Sequence, residues 1–584
     1  MAISYRLDRL APDVTETVTR FPVAVLFALA LTLTAILTAN DWLIAGDRDA
    51  MRRLAFGFAA GGFMAVAGRL VAENLRLTGA RGIALSLFPA ILVFGLFQID
   101  DSTWVVPGAL AAAVLLMLST APGLFDRARG GREDAQDRFW WINHRAIISG
   151  AIAGVAVALV LLGLFAIHQA LSLLFGIDID DLIGNWLMPL TLFLFAPLYW
   201  LSTIPRLADY EPLDLTEPDF LSRAIGFLGQ FVLTPLLFAY ALILLAYAIQ
   251  IAVTRTFPEG IVGWLVLTFV VTGAANWLVL HPEFMREKPL VRWFRRLWPL
   301  LTVIPLGLFA WGVYDRIAAY GLTPERVVLV LGGVWAVLVT LAFLLPFTRD
   351  IRLIPGLAAI LLLLGAVGPQ NVENLSRINQ LDRLEAALAA ESMDEETAAT
   401  ARGAIFFLMG SAEGRRTLDT VLAERDVSLP ATGDSLSRTS AFDYMEALSI
   451  PRAPDQPVPD RIARVDAGTA SVPVDVSATP LYLGRLQLSA RASADYPGLT
   501  LRHTGNTLHF ASARGEAEQT LDLTGWLTRQ TGDTVVDPAL PFTLEGRDFL
   551  IVVNDMSYRR PDAGETPAEL LWLNGSVFAE PVRE

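Results

Sequence analysis

Cysteine is absent from the 584 residues, and Lys288 is the one lysine among 45 basic residues. The absence of cysteine excludes disulfides, thiolate metal sites and cysteine nucleophiles, and the scarcity of lysine argues against Schiff-base chemistry. Only 18% of the residues are charged, whereas about 25% are charged in an average soluble domain. The net charge of −14 has the wrong sign for binding a phosphate backbone, so we expect no nucleic-acid partner.

The short motifs of common enzyme classes are also missing. The chain contains no GxSxG, HExxH or Walker loop, and no GxGxxG that follows a predicted strand. No metal-ligand partner stands at helical spacing from any of the five histidines, which are His144, His168, His281, His503 and His509. The sequence therefore predicts no metal and no cofactor, and it gives little support to an enzymatic function.

Apolar residues, in contrast, make up 54% of the chain. They are concentrated in residues 1–368, which hold 26 basic and 27 acidic side chains. Residues 369–584 hold 19 basic and 32 acidic side chains, and the long apolar runs end at the same boundary. This division predicts a nearly neutral polytopic membrane domain followed by an acidic soluble part.

A bilayer core about 30 Å thick requires roughly 20 apolar residues in each spanning helix. About eleven segments meet this requirement, with ten to twelve as the range that the runs allow. They lie near residues 21–39, 54–72, 83–99, 104–121, 146–175, 187–204, 221–254, 261–281, 298–319, 325–346 and 351–368.

The distribution of arginine and lysine predicts how these helices are oriented. With the N-terminus inside, the inner segments carry 19 basic residues and the outer loops carry six. The two most basic inner loops are 122–145 and 282–297. We therefore expect a cytoplasmic N-terminus and a C-terminal part on the outer side of the membrane. The first apolar run is interpreted as a signal anchor and not as a cleaved signal peptide.

The soluble part divides into three regions by its residue patterns. Residues 369–426 predict a helical hairpin, with a second helix from Glu395 to Leu422. Residues 427–475 are rich in Pro, Ser, Asp and Thr and indicate an irregular connector. Residues 476–584 alternate apolar and polar residues and predict a small antiparallel β-sheet or sandwich, with strands near 481–488, 499–501, 508–510, 521–523, 549–553 and 570–577.

Four stretches of sequence are more distinctive than generic apolar helices. They are FWWIN at 139–143, FLGQFVLTPLLFAYALILLAYAIQI at 227–251, RIAAYGLTPER at 316–326 and NLSRINQLDRL at 374–384. On these stretches the chain resembles the uncharacterised bacterial membrane family catalogued as domain of unknown function 4153. With this resemblance we expect a multi-pass protein of the inner membrane of a Gram-negative bacterium, with a periplasmic C-terminal part. The resemblance supplies no catalytic residue. Gln250 departs from the basic residue that the family pattern leads us to expect there.

The seventh apolar segment contains the first group of candidate ligand-binding residues. Pro235 should kink the helix by freeing a backbone carbonyl, and Tyr240 and Tyr247 lie seven residues apart, on one helix face. One interpretation is a polar pocket at a broken helix, as in transporters. The other interpretation, which the composition favours, is a packed kink with satisfied tyrosine hydroxyls.

Arg206, Arg316 and Tyr320 are the other candidate ligand-binding residues, and each lies at the end of a predicted helix. Arg206 suits a headgroup site at the inner face, or an ordinary positive-inside arginine. Arg316 suits a lipid phosphate or an ion pair with Asp315. A purely structural turn is the alternative for Arg316 and Tyr320, because Gly321 fits a helix C-cap.

Three functions remain open, in decreasing order of preference. The first is an envelope scaffold or sensor whose periplasmic domain binds a protein partner, and it predicts no closed cavity among the membrane helices. The second is a carrier or binder of a lipid or small solute, and it predicts a cavity near Pro235, Tyr240 and Tyr247. The third is a membrane enzyme acting on lipid-linked substrates. Membrane lipids are expected partners in all three.

Overall fold

The computed structural model describes residues 14–42, 48–99, 105–125, 131–211, 215, 220–254, 262–429, 440–451, 461–466, 474–489, 493–496, 499–512, 518–529, 537–560 and 569–581. The chain divides into two compact units, Met1–Asp382 and Arg383–Glu584.

The first unit is a bundle of apolar helices. Among the described residues, nine helices are long and apolar enough to cross a membrane, and two shorter apolar helices accompany them. Each predicted span corresponds to one of these eleven helices, so the protein is a polytopic helical membrane protein. They are α1 Pro22–Ala39, α2 Arg48–Asn74, α3 Gly79–Leu96, α4 Val105–Thr120, α5 Gly131–Phe175, α6 Asp180–Asp209, α7 Phe220–Thr254, α8 Val262–Val279, α9 Pro289–Tyr320, α10 Pro324–Leu344 and α11 Leu353–Ala366.

Helix α5 begins well before the apolar run that predicted it. It is 45 residues long, which corresponds to about 68 Å at 1.5 Å per residue, and a bilayer core needs only about 30 Å. Its first turns carry the FWWIN sequence and contain no proline. The helix therefore continues beyond the predicted span into residues 131–145, whose polar and aromatic side chains hid the extension from a hydropathy argument.

Helices α6 and α7 are interrupted by wider turns. Two π-helical turns, Ile183–Leu187 and Thr191–Phe195, lie within α6. A third, Gly229–Leu233, directly precedes Thr234 and the predicted kink at Pro235 in α7. Such turns are frequent where a helix departs from regular hydrogen bonding.

An aromatic cluster holds α8, α9 and α10 together. The ring of Trp277 in α8 lies 4.6 Å from that of Phe343 in α10 and 5.9 Å from that of Trp298 in α9. All three side chains are almost completely buried. Gly273 lies under this cluster, and a Cβ atom at this position would stand 1.9 Å from Nε1 of Trp298. Glycine is therefore required for the close approach of α8 to α9.

The next helices are α12 Val372–Leu388, α13 Glu395–Met409, α14 Ala412–Glu424 and α15 Ala441–Ala447. The prediction of one helix from Glu395 to Leu422 was wrong, because α13 ends at its C-cap residue Gly410 and a new helix begins after the N-cap residue Ser411. The hydroxyl of Ser411 caps the new helix by accepting a hydrogen bond from the backbone N–H of Gly414 at 2.9 Å. Helix α15 lies inside the region predicted as irregular and begins with a capping box formed by Ser440 and Asp443.

The described residues of the C-terminal region form two antiparallel sheets, as the alternating pattern predicted. One sheet has the strand order β1-β8-β9-β2, with β7 also paired to β8, and the other has the order β3-β4-β5-β6. Strands β1, β3 and β7 were not predicted. The strands are β1 Arg461–Asp466, β2 Leu481–Ser489, β3 Ala494–Tyr496, β4 Leu499–Thr504, β5 Thr507–Ser512, β6 Glu518–Asp522, β7 Ala539–Leu544, β8 Arg547–Arg560 and β9 Glu569–Ala579.

The two sheets share one hydrophobic core. Phe510 of the four-stranded sheet stacks on Phe542 of the five-stranded sheet with ring centroids 3.8 Å apart. Phe542 stacks in turn on Phe549 at 5.1 Å. Inward-facing leucines such as Leu501 and Leu573 complete the core and are fully buried. The packing of two sheet faces explains the period-two pattern of residues 476–584.

Candidate functional site

A cavity of about 580 Å³ lies among the membrane helices and is called the central cavity below. Its walls come from α4, α5, α8, α10 and α11, with one contribution from α7. The lining is almost entirely apolar and includes Leu116, Ile148, Leu267, Leu331 and Ala358. The volume falls within the range of about 300–1,000 Å³ that small-molecule sites occupy.

The polar groups of the central cavity are gathered at one end. Asn143 and His144 lie there on α5, next to Ser119 at the end of α4. The Nδ2 atom of Asn143 donates to the carbonyl oxygen of Ser119 at 3.0 Å, and Nε2 of His144 lies 2.8 Å from the hydroxyl of Ser222. The cavity is thus amphipathic, with a polar end and a long apolar body.

Two tryptophans fix the walls beside this polar end. The indole N–H of Trp140 donates to the carbonyl oxygen of Leu278 at 2.7 Å. The indole N–H of Trp335 donates to the carbonyl oxygen of Ile354 at 2.9 Å. The ring of Trp140 also stacks on His144 with centroids 4.4 Å apart. Because buried indole N–H groups need an acceptor, these bonds hold each ring in one orientation. The cavity is therefore largely pre-formed.

A charged network closes the helix bundle just beyond the polar end. Asp350 lies 2.7 Å from Nη2 of Arg352 and 3.3 Å from Nε of Arg132. Burial alone would raise the pKa of Asp350, but hydrogen bonds and charge from Arg352, with the charge of Arg132, outweigh burial and lower it. Asp350 therefore remains ionised and ties the start of α5 to the start of α11.

A second group in this network contains a buried histidine. Nε2 of His281 lies 2.8 Å from Asp137, which also pairs with Arg286. Burial lowers the pKa of His281 to about 4, so its ring is neutral at neutral pH. The carboxylate of Asp137 thus holds the turn after α8 against the first part of α5.

Another cavity, of about 620 Å³, lies on the other side of the α4–α11 pair. It is lined by apolar residues of α2, α3, α4 and α11, including Met64, Pro89 and Leu357. Asp350 and Arg352 stand at its edge. The Asp350–Arg352 ion pair therefore borders this second cavity. Helices α4 and α11 contribute to its walls and to those of the central cavity.

The candidate residues of α7 line neither cavity. Pro235 is exposed and follows the π turn Gly229–Leu233. Tyr240 is half-buried, and its hydroxyl donates to the carbonyl oxygen of Leu265 at 3.1 Å. Tyr247 is half-buried at the margin of the helix core. Here the structure shows packing between α7 and α8, since the ring of Tyr240 also lies 5.8 Å from that of Phe269.

Arg316 and Tyr320 lie at the exposed end of α9, and within the described residues Arg316 forms no ion pair with Asp315. The turn beside them is held by its own contacts. Arg326 donates to the carbonyl oxygens of Tyr320 at 3.2 Å and Gly321 at 2.7 Å. Gly321 has φ +73° and caps α9, as its sequence context predicted.

Two residues of α12 complete this turn and were not recognised from the sequence. Oδ1 of Asn379 accepts from the backbone N–H of Leu322 at 2.7 Å, and Gln380 donates to the carbonyl oxygens of Tyr320 and Leu322. Both belong to the NLSRINQLDRL stretch, so that distinctive sequence has a local structural role.

Arg206 lines a separate polar pocket of about 420 Å³ near the start of α1 and the end of α2. Its Nη2 atom lies 2.7 Å from Oε1 of Glu16. No described contact connects Arg206 with Tyr240, Tyr247 or Arg316. The six candidate residues therefore lie in three separate places.

His168 has neighbours that helical spacing did not reveal. Gly176 adopts φ +65° and reverses the chain after α5, which brings Asp178 and Asp180 back to the imidazole. The potential ligand atoms of the three residues lie within 4.8 Å of one another. Asp178 and Asp180 do not stand at helical spacing from His168, so the search for partners at that spacing did not find them.

The sequence analysis singled out the FWWIN stretch but did not recognise that polar residues there line a cavity. Asn143 and His144 stand at and directly after the FWWIN stretch, which the sequence offered only as a mark of resemblance. Their signal was a pair of polar side chains at the start of an apolar helix.

The sequence model of the family described as domain of unknown function 4153 matches residues 23–402 of the chain, which include every residue that lines the central cavity. A curated protein of Pasteurella multocida (strain Pm70), described as uncharacterised, is 26% identical over 264 residues. That match covers 42% of this chain and 42% of the relative, so the chain spans less than half the relative's length. No solved structure matches the chain significantly.

Proposed function

The chain belongs to the family described as domain of unknown function 4153, and we propose that it binds one amphipathic membrane lipid in the central cavity. The observation that carries this proposal is the amphipathic lining, with Asn143 and His144 at one end of an apolar cavity of about 580 Å³. The lipid's polar group hydrogen-bonds at that end, and its hydrocarbon chain follows the apolar body. Binding or carriage of a lipid thereby takes precedence over the scaffold function.

Access from the bilayer supports this assignment. The wall includes Ile147, which is 71% exposed, and Val271, which is 48% exposed. In a membrane protein such apolar surface faces lipid chains, so a lipid enters sideways without crossing water. Two indole rings fixed by hydrogen bonds keep the cavity open, which lowers the entropic cost of binding.

The orientation proposed with this function is a cytoplasmic N-terminus in the bacterial inner membrane, with the C-terminal sheets in the periplasm. Contacts among the described residues support it, because they join Asn74 to Pro122, Asp137 to His281 and Arg352 to Gly123. These residues lie at alternate helix ends, as an up-and-down bundle requires. The described arginines of loops 122–145 and 282–297, such as Arg132 and Arg286, therefore lie at one end of the bundle, and the positive-inside rule favours the cytoplasm for that end.

The proposal is tested by a substitution that fills the central cavity with a larger side chain. Ala358 lines it on α11, and Ala358→Phe would occupy the space of the lipid chain. The matched control is Ala156→Phe, which places the same side chain on an exposed position of α5 outside the cavity. A second control is the double variant Arg316→Ala, Tyr240→Phe, whose residues line neither cavity.

The measurement is native mass spectrometry of the full-length protein, purified in mild detergent and supplied with bacterial phospholipids. We expect the wild type and both controls to retain one lipid more than Ala358→Phe retains. Thermal unfolding in the same detergent verifies that each variant is folded. Equal lipid retention by Ala358→Phe and the wild type would contradict the proposal.

A periplasmic scaffold or sensor is the second candidate function. The specific observation in its favour is that the C-terminal unit has its own hydrophobic core between two sheets. It therefore has the means to present a rigid surface to a protein partner. Cross-linking in cells, followed by mass spectrometry, tests this function independently of lipid binding.

A further inference from the structure

The polar pocket near Arg206 is richer in arginine than its acidic residues can neutralise. Its charged lining residues are Glu16, Arg20, Arg69, Glu73, Arg76 and Arg206. These described residues bring four positive and two negative charges to a cavity of about 420 Å³. The pocket shares no lining residue with the central cavity, so its role is independent of the proposed lipid site.

Both acidic residues of the pocket are already engaged. Glu73 receives two hydrogen bonds from Arg20, at 2.9 and 3.0 Å, and the Arg20 side chain is only 10% exposed. Arg20 also donates to the carbonyl oxygens of Ile204 and Pro205. Glu16 pairs with Arg206. Arg20 and Arg206 are therefore committed to the fold, and the surplus positive charge rests on the other two arginines.

Arg69 and Arg76 carry this surplus charge. Nε of Arg69 lies 3.3 Å from Glu73, but it forms no hydrogen bond although it is buried. Arg76 is exposed toward the pocket, and its side chain has no ion pair within the described part of the chain. Guanidinium groups with free donors form strong bidentate hydrogen bonds to phosphate oxygens.

The backbone of Arg76 adds an independent observation. Arg76 follows α2 with φ +57°, a left-handed conformation that favours glycine at the end of a helix. The turn is closed by hydrogen bonds from the N–H of Arg76 to Glu73 and of Leu77 to Ala72, at 3.0 and 2.9 Å. An arginine is less favourable than a glycine in this position, so replacing it by glycine should not strain the backbone.

The start of α3 also faces the pocket. Thr78 is the N-cap residue of this 18-residue helix, and its side chain makes no capping hydrogen bond. A contiguous smaller pocket of about 200 Å³ is lined by Arg69, Thr78, Gly79 and Gly82. Free N–H groups at a helix N-terminus attract anions, and glycines allow close approach to them.

We propose that the pocket formed by Arg69, Arg76 and the start of α3 binds a phosphate group. The two guanidinium groups donate hydrogen bonds to the phosphate oxygens from one side. The Thr78 hydroxyl and the first N–H groups of α3 donate to them from the other side. The phosphate belongs to a lipid headgroup or to a soluble phosphate ester, since both present the same chemistry to these donors.

Arg76→Gly is the informative variant, because it removes the guanidinium and at the same time places glycine at a positive φ. Its folding should be unimpaired, so a loss of binding cannot be attributed to unfolding. Arg76→Asn, which also tolerates a positive φ, is the second variant. The matched control is Arg81→Gly, at an exposed arginine of α3 that lines neither pocket.

The experiment is isothermal titration of the full-length protein in an uncharged detergent, with inorganic phosphate and with dihexanoyl phosphatidic acid as probes. For phosphatidic acid, every protein also carries Ala358→Phe, so that the central cavity contributes no lipid binding. We expect one site on the protein with Arg76 and on Arg81→Gly, and binding weaker by at least about tenfold in both Arg76 variants, as one charge-assisted contact implies. Binding of phosphatidic acid alone identifies a lipid headgroup, and equal binding of both probes identifies a soluble phosphate ester.

Two results would overturn the proposal. One is the absence of binding of either probe to the wild type. The other is equal affinity of the wild type and a folded Arg76 variant. Because Ala358→Phe leaves this pocket unchanged, its phosphate titration should match that of the wild type whatever becomes of lipid binding in the central cavity.

Discussion

Nδ2 of Asn276 donates a hydrogen bond to Oγ1 of Thr234 at 2.9 Å, and neither side chain is exposed at all. The hydroxyl of Thr234 donates in turn to the carbonyl oxygen of Gly229 at 2.8 Å. That carbonyl lies in the π turn before Pro235. The contact therefore connects α8 to the irregular part of α7 and gives acceptors to two donors that lipid could not solvate.

Asn276→Ala should lower the free energy of unfolding by about 1 kcal/mol, since interhelical hydrogen bonds in membranes contribute about 0.6 to 1.7 kcal/mol. The measurement is unfolding by a denaturing detergent, followed by tryptophan fluorescence. Gln250→Ala is the control, because Gln250 is an exposed amide on the same pair of helices. Equal stability of Asn276→Ala and Gln250→Ala would show that the bond adds nothing.

Gly273→Ala should destabilise the protein by about 2 kcal/mol, because a methyl group at this position would overlap the indole of Trp298. The thermal midpoint in detergent measures the loss. Gly307→Ala, on α9, is the control, since a Cβ atom there meets nothing within 4 Å. Trp298→Phe should make the Gly273→Ala substitution less costly, and an unchanged cost in that background would refute the steric explanation.

The pH dependence of stability should reveal His281. Its folded pKa of about 4 lies below the value of 6.5 for an unperturbed histidine, so the unfolded chain takes up a proton first as the pH falls. Stability should therefore decrease from about pH 6.5 down to about pH 4, by on the order of 3 kcal/mol. Thermal midpoints of the wild type and of His281→Gln across this pH range measure the decrease in stability. The variant should lose the part of the pH dependence that comes from His281. Identical pH profiles would contradict the assignment.

Asp350→Asn should lower the free energy of unfolding by about 3 kcal/mol, because it leaves Arg132 and Arg352 beside an uncharged amide at a buried position. Asp41→Asn breaks the exposed pair with Arg48 and should cost well under about 1 kcal/mol. Chemical unfolding of the two variants provides the comparison. Similar losses in both would show that the Asp350 network contributes no more than a surface pair.

The membrane domain was predictable because the physical requirement is local. A spanning helix needs an apolar run of sufficient length, and every such run corresponds to a helix. The extension of α5 escaped this argument, since residues 131–145 are held in the helix by contacts such as Trp140 with Leu278, and not by apolar length.

The sites were not predictable for the opposite reason. Asn143 acquires its surroundings from Ser119 and from helices more than a hundred residues away, and no period in the sequence reports this. Asp178 and Asp180 reach His168 only because the chain reverses at Gly176. Tyr240 was chosen for its place near the Pro235 kink and Arg316 for its place at a helix end. The hydroxyl of Tyr240 donates to a backbone carbonyl, and Arg316 has no ion pair among the described residues.

Helix α5 is long enough to transmit movement from one end to the other, because it is one unbroken helix of 45 residues. His144 at the cavity and His168 near the far end are separated by about 36 Å along its axis. A rigid rod of this length acts as a lever, so a tilt of about 3° at the cavity moves His168 by about 2 Å. The beginning of the rod is anchored by Arg132 and Asp137. A change in the tilt of α5 at the central cavity would thus reach the far end of the helix as displacement, without any change in secondary structure.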